Sequence, residues 1–215
     1  MPESRRGLLD ISPPLGPDLA VFPGDTPLSR EMLLDTARGD AITLSTLRAT
    51  VHLGAHVDAP VHYGAGAPSI DRMPLETFLG QCRVVRVAVG RGDLIGVREA
   101  ERALGGREPG TRLLLATGSY PDPTRFTPDF AALEPELVRW LAGLGVRLIG
   151  IDTPSVDPSD SKELPAHAAC LAAGVAILEG IVLRDVPEGD YELIALPLRL
   201  EGFDASPVRA ALRPI

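Results

Sequence analysis

The chain has 215 residues, enough to bury a sizeable core, and 45% hydrophobic with 23% charged residues excludes wholesale disorder. Its 29 acidic and 21 basic residues leave a net charge of −8, the wrong sign for a protein that neutralises nucleic-acid phosphates. Two cysteines are too few for a disulfide scaffold, no apolar run reaches the ~18 residues of a membrane span, and MPESRRGLLDISPP at the start has no apolar core of a secretory signal. A reducing, cytoplasmic setting is the expectation.

The 22 glycines and 21 prolines are spread from end to end, without a repeat, a low-complexity tract or a charge block, so residues 1–215 are read as a single domain of short elements. In chain order, strands are expected at 41–53 and 82–89, where Val, Ile, Leu and Thr concentrate between turn residues. A helix follows over 93–104, with Leu94, Val97, Ala100 and Leu104 on one face, then a strand at 112–117. A second helix over 134–144 carries Leu137, Trp140, Leu141 and Leu144 along one stripe. A strand at 147–152, a short helix opening after Pro165, and strands at 175–183 and 191–200 complete the order. Strands alternating with helices over 85–150 predict an α/β layer. The strand-dense ends predict a second, more antiparallel sheet.

Three of the four histidines lie in one stretch, His52-Leu-Gly-Ala-His56-Val-Asp58-Ala-Pro-Val-His62. All four polar groups sit at even positions, so an extended chain would turn them to one face and Leu53, Ala55, Val57, Ala59 and Val61 to the core. A helix would swing Asp58 away, and Pro60 would break it. Four residues of straight strand are long for two imidazoles to share an ion, which predicts a bend or bulge at Gly54. Imidazoles with a carboxylate form a ligand set for Zn²⁺, with Mn²⁺ or Fe²⁺ also suited. The competing reading is a solvated strand face.

His167, alone, would read as a satisfied, partly buried histidine. Glu179 lies in Gly-Val-Ala-Ile-Leu-Glu-Gly-Ile-Val-Leu, apolar on both alternating faces, where a carboxylate needs a metal or an arginine to offset desolvation. His52, His56, Asp58, His167 and Glu179 together exceed what one catalytic zinc takes and suit two metals with shared carboxylates. His62 is left over as a general acid/base. Asp25, Asp152 and Asp157 read as turn residues, and Cys170 is not assigned as a nucleophile.

The stretch from His52 to His62 resembles the H-x-G-T-H-x-D-x-P-x-H motif of the cyclase-like metal-dependent hydrolases, with Ala55 where Thr is common. Asp10-Ile-Ser-Pro-Pro-Leu, Phe22-Pro-Gly-Asp-Thr-Pro and Gly150-Ile-Asp-Thr-Pro-Ser-Val-Asp-Pro extend the likeness in order along most of the chain, and the Pro-Gly-Asp-Thr-Pro segment narrows it to the bacterial kynurenine formamidase (arylformamidase) branch. The resemblance implies a swivelling β/β/α fold, a homodimer, two zinc ions per subunit, and hydrolysis of N-formyl-L-kynurenine to L-kynurenine and formate in tryptophan degradation. It implies His52 and His56 on the first metal, His167 on the second, Asp58 and Glu179 shared by both, and His62 as catalytic acid/base. Phe22 stands where the branch usually has a substrate-contacting Trp, which keeps a stacking surface and loses the indole donor. The rival readings are an isatin-type or other small-amide hydrolase, and a metal-binding module without turnover.

Overall fold

The computed structural model describes residues 7–215, so the first six residues of the N-terminal segment MPESRRGLLDISPP lie outside the described residues. The strands are β1 (Leu9–Asp10), β2 (Ser29–Leu34), β3 (Leu44–Arg48), β4 (His56–Asp58), β5 (Leu79–Arg86), β6 (Leu94–Ile95), β7 (Arg112–Ala116), β8 (Ala132–Leu133), β9 (Leu148–Ile151), β10 (Ala176–Glu179), β11 (Gly189–Ile194), β12 (Ala205–Pro207) and β13 (Ala211–Pro214). Three α-helices intervene among the described residues: α1 (Val97–Leu104), α2 (Pro135–Gly143) and α3 (Pro165–Ala173). No helix among the described residues is long and apolar enough to cross a membrane.

Nine strands form one curled sheet in the order β1-β13-β11-β5-β7-β9-β10-β4-β12. Its centre, β5, β7, β9 and β10, is parallel. These strands are nearly continuous apolar runs, as expected where both faces are covered, and Leu113, Leu114, Leu115, Ile149 and Ile177 are fully buried. The flanking pairs are antiparallel. The strand-dense chain ends therefore extend the same sheet, and the expected second sheet is not formed. Its place is taken by two small ladders, β2 with β3 and β6 with β8. The ends add to the central sheet because β11 pairs with β5 over six residues and β4 pairs with β10, each burying an open edge.

One face of the sheet carries the helices. Ala100 and Leu104 of α1, Leu137, Val138 and Leu141 of α2, and Ala166, Ala169 and Cys170 of α3 pack on Val85, Leu113, Ile149 and Ile177. The opposite face closes on Phe78, Leu178, Leu193 and Leu212. The α2 and α3 helices begin with Pro at the first position, which pre-sets φ and forfeits only an unpaired donor. The α1 and α3 helices stop at Gly105 and Gly174 in the left-handed conformation. Cys82 and Cys170 are both buried free thiols.

The strand expected over 41–53 is much shorter. Only Leu44–Arg48 is strand, paired with β2 in an exposed ribbon the sequence reading missed. The next residues leave it to form the wall of a cavity.

Candidate metal centre

The stretch from 52 to 62 is not extended throughout. Gly54 has φ +57, a left-handed turn, and Pro60–His62 form a 3₁₀ turn entered through proline. Only His56–Asp58 is strand. The bend at Gly54 is where the spacing placed it, and Leu53, Ala55, Val57 and Ala59 are buried as expected. The turn is pinned by a second glycine: a Cβ on Gly180 (φ +66) would run into the Gly54 carbonyl oxygen. Backbone contact between these glycines lays the 52–56 turn against the end of β10, beside Glu179.

Pairing of β4 with β10 sets His56 directly opposite Glu179, on one face of the sheet, with Asp58 two residues along on that face. His56 Nε2 is 3.2 Å from Glu179 Oε2 and 3.5 Å from Asp58 Oδ1. The α3 helix packs over this face and points His167 Nε2 at Asp58 Oδ2 (3.4 Å) and Glu179 Oε1 (3.7 Å). From the far side of the Gly54 turn, His52 brings Nδ1 to 3.1 Å from Asp58 Oδ1. The five candidate ligands thus converge. Three groups of three, His52/His56/Asp58, Asp58/His62/His167 and His52/His62/Asp204, each place their ligand atoms within 4.8 Å of one another, and the first two share Asp58.

Each candidate imidazole has its outward nitrogen engaged. His56 Nδ1 is 2.9 Å from Gly54 O, His167 Nδ1 is 2.7 Å from Asp157 Oδ2, and His52 Nε2 is 3.0 Å from Asp204 Oδ2. A proton on each of those nitrogens leaves the inward one as a bare lone pair, the arrangement that orients metal-ligating histidines. The inward atoms face carboxylate oxygens that also only accept. His56 Nε2 and both oxygens of Asp58 are buried with no hydrogen-bond partner. Buried acceptors crowded against acceptors need positive charge between them, and a divalent metal supplies it to this donor set.

Electrostatics agree. Burial pulls the His52 and His167 pKa values down. The adjacent Asp58 carboxylate and, for His167, the hydrogen bond to Asp157 more than offset this, raising them to about 9 and about 10. Burial opposes ionisation of Asp58, but the close His167 and His52 rings, at 3.4 and 3.1 Å, hold it well below the carboxylate range. The cluster attracts positive charge, proton or metal. His62 differs: burial lowers its pKa, its side chain is partly exposed, and its ring lies 4.2 Å from that of His52. It sits at the cavity side of the cluster, suited to exchange a proton with a bound molecule.

The cluster forms the floor of a cavity of about 710 Å³. Phe22 lies on its wall, half-buried, edge-on to Phe126 at 5.1 Å, so it is not plain core. Asp25 and Asp152, read as turn residues, also reach the wall. Asp152, whose pKa burial raises, accepts hydrogen bonds from Thr117 and Gly118.

Two contributors were missed. Asp157 is fully buried and accepts from the backbone N–H groups of Ala166 and His167 as well as from the His167 ring, capping α3 and aiming its histidine. Its run of Ser, Asp and Pro neighbours signalled only a turn. Asp204 lies between His52 and His62, 3.6 Å from His62 Nδ1. It arrives from the far end of the chain, ahead of β12, and no local pattern marks it.

The family model for Cyclase ("Putative cyclase") matches residues 9–158. A kynurenine formamidase of Bordetella petrii is 47% identical over 208 residues, which are 97% of this chain and 98% of that one. Among solved structures, a "predicted metal-dependent hydrolase" from Bacillus stearothermophilus superposes with a TM-score of 0.80 at 28% identity, covering 96% of this chain and 97% of that one. Isatin hydrolase A from Ralstonia solanacearum shares the fold, with a TM-score of 0.79 at 23% identity over 97% and 92% of the two chains.

Proposed function

The chain belongs to the Cyclase family, and from that membership we propose that it is a metal-dependent arylformamidase, hydrolysing N-formyl-L-kynurenine to L-kynurenine and formate. One observation carries the metal dependence: the buried, unpartnered His56 Nε2, Asp58 Oδ1 and Asp58 Oδ2, with His56 lining a substrate-sized cavity and Asp58 behind it. The 47% identity to a formamidase over nearly the whole of both chains supports the substrate.

His52, His56, Asp58, His167 and Glu179 would hold two metal ions, and zinc suits this set of imidazole and carboxylate donors. Bound there, such ions would supply an activated water and Lewis-acid polarisation of a carbonyl oxygen. The protein's own groups do the rest. Asp157, Gly54 and Asp204 fix the ring nitrogens that face the ions. His62 carries a proton at the cavity side and delivers it to the aryl amine nitrogen as its bond to the formyl carbon breaks. Phe22, backed by Phe126, packs against the aryl ring.

A homodimer accompanies this reading. The β2–β3 ribbon leaves Leu33, Leu34, Leu44 and Leu47 exposed, and a two-stranded ribbon needs covering to be stable.

The test is turnover by purified, zinc-loaded protein given N-formyl-L-kynurenine and, separately, isatin. Kynurenine and formate appearing in equal amounts support the reading. Isatin turnover without formamide turnover transfers the chain to the isatin-type activity, and turnover of neither leaves a metal-binding module.

A further inference from the structure

We propose that this cavity selects substrates bearing a carboxylate remote from the scissile amide, and that Arg184 receives it. The inference rests on the arylformamidase reading and adds what distinguishes the substrate from a neutral amide such as isatin.

The cavity is chemically divided. Its floor is the histidine and carboxylate cluster, and aromatic rings of Phe22, Tyr120 and Phe126 line the wall. Arg86 and Arg184 line the same cavity, yet neither forms an ion pair among the described residues. In a chain of net charge −8, two guanidinium groups on one cavity that pair with none of its carboxylates remain open to a ligand's negative charge. Arg184 uses only Nη2, which donates to Pro121 O at 3.0 Å, leaving most of its fork of N–H donors for a ligand. The neighbouring carboxylate, Asp122, is occupied by the N–H and hydroxyl of Thr124 at 3.0 and 2.6 Å.

Arg184 is held in place. Arg86 Nη2 donates to Arg184 O and Val186 O, both at 2.9 Å, bracing the backbone that carries the second guanidinium. Arg184 is also tied by chain to the metal end. Gly180, Ile181, Val182 and Leu183 line the cavity between Glu179 and Arg184, and five residues of chain reach at most ~17 Å. A ligand with its amide over the cluster and a carboxylate on a short side chain spans that wall, with its ring against Phe22. A planar guanidinium receives a carboxylate through two parallel hydrogen bonds, which orients the ligand as well as binding it.

The experiment compares N-formyl-L-kynurenine with N-formylkynuramine, the same aryl formamide without the carboxylate, in wild type and Arg184→Gln. Glutamine keeps a donor for Pro121 O and removes the charge. Equilibrium binding of L-kynurenine and kynuramine is measured alongside. Wild type should favour the carboxylate-bearing member of each pair. Arg184→Gln should raise KM for N-formyl-L-kynurenine and weaken L-kynurenine about 10–100-fold, the loss expected for a hydrogen bond to a charged group. Its kcat and its handling of the carboxylate-free compounds should stay within about two-fold, since uniform binding moves KM alone. No preference in wild type, a preference that survives Arg184→Gln, or equal weakening of both compounds would overturn the proposal. Hydrolysis of neither formamide, with Arg184-dependent preference for L-kynurenine intact, would sink the formamidase reading and leave the carboxylate site standing.

Discussion

Replacing Asp157, a residue that touches no candidate metal position, should damage both the fold and metal binding. Its two oxygens accept from Ala166 N at 2.9 Å, His167 N at 3.0 Å and His167 Nδ1 at 2.7 Å. Losing a helix cap costs about 1 kcal/mol, and losing a buried hydrogen bond to a charged imidazole about 2. Asp157→Ala should therefore destabilise the metal-free protein by about 3 kcal/mol, a large share of the 5–15 typical of a domain. Asp157→Asn, which can still cap but carries no charge, should cost about half as much. The sign with pH follows from the two partners. The His167 pKa is raised from 6.5 to about 10, so its contribution is complete below 6.5 and disappears as pH rises through about 10. The Asp157 pKa is lowered despite burial, through its hydrogen bonds with His167 and the helix backbone, so its contribution is lost only as pH falls through that depressed value. The cost of Asp157→Ala should peak in mildly acidic solution and shrink toward pH 10. Urea unfolding of metal-free protein at pH 6 and pH 10, with chelator competition for zinc affinity, reads both effects. Zinc should bind 10–100-fold more weakly in either variant. A cost under about 0.5 kcal/mol at pH 6 with unchanged zinc affinity would refute the role given to Asp157.

His52→Ala and Glu179→Ala should each lower bound metal per chain on elemental analysis, and full wild-type content in both would break the ligand assignment. His62→Ala should keep its metal and its fold while kcat falls ~10²–10⁴-fold, and loss of metal would make it a ligand instead. Phe22→Ala should raise KM several-fold, in line with an aromatic contact of about 0.5–1.5 kcal/mol, with metal retained and Phe22→Trp tolerated. Unchanged KM with lower thermal stability would return Phe22 to the core. Metal loading should weaken steeply between pH 8 and 6, because zinc must displace the protons that His52 and His167 hold below about 9 and 10, and a flat profile would contradict that competition.

What the sequence disclosed was local. The crowding of His52, His56, Asp58 and His62, the need for a bend at Gly54, and the two-sided apolar setting of Glu179 are all matters of residue type and spacing. Each has a counterpart in the structure. Strand ends were overrun, as at 41–53, because Val, Leu and Thr continue past the point where a partner strand is available. The uniform extension of 52–62 failed for a different reason: a left-handed glycine and a proline redirect the chain whatever the alternation suggests. Asp157 and Asp204 were invisible because their significance is tertiary. One caps a helix that begins eight residues later, and the other meets His52 from a segment 152 residues away. The single sheet in place of two likewise depends on which strands find β5 and β10, which no short pattern encodes.

The most direct measurement of the central claim is a zinc titration of metal-stripped protein, following bound metal and N-formyl-L-kynurenine hydrolysis together. The account predicts that activity rises from nothing and reaches its plateau at two equivalents per chain, with His62→Ala filling to the same stoichiometry at a low plateau. Activity in the stripped protein, or tight filling that ends at two equivalents without any hydrolysis, would contradict it.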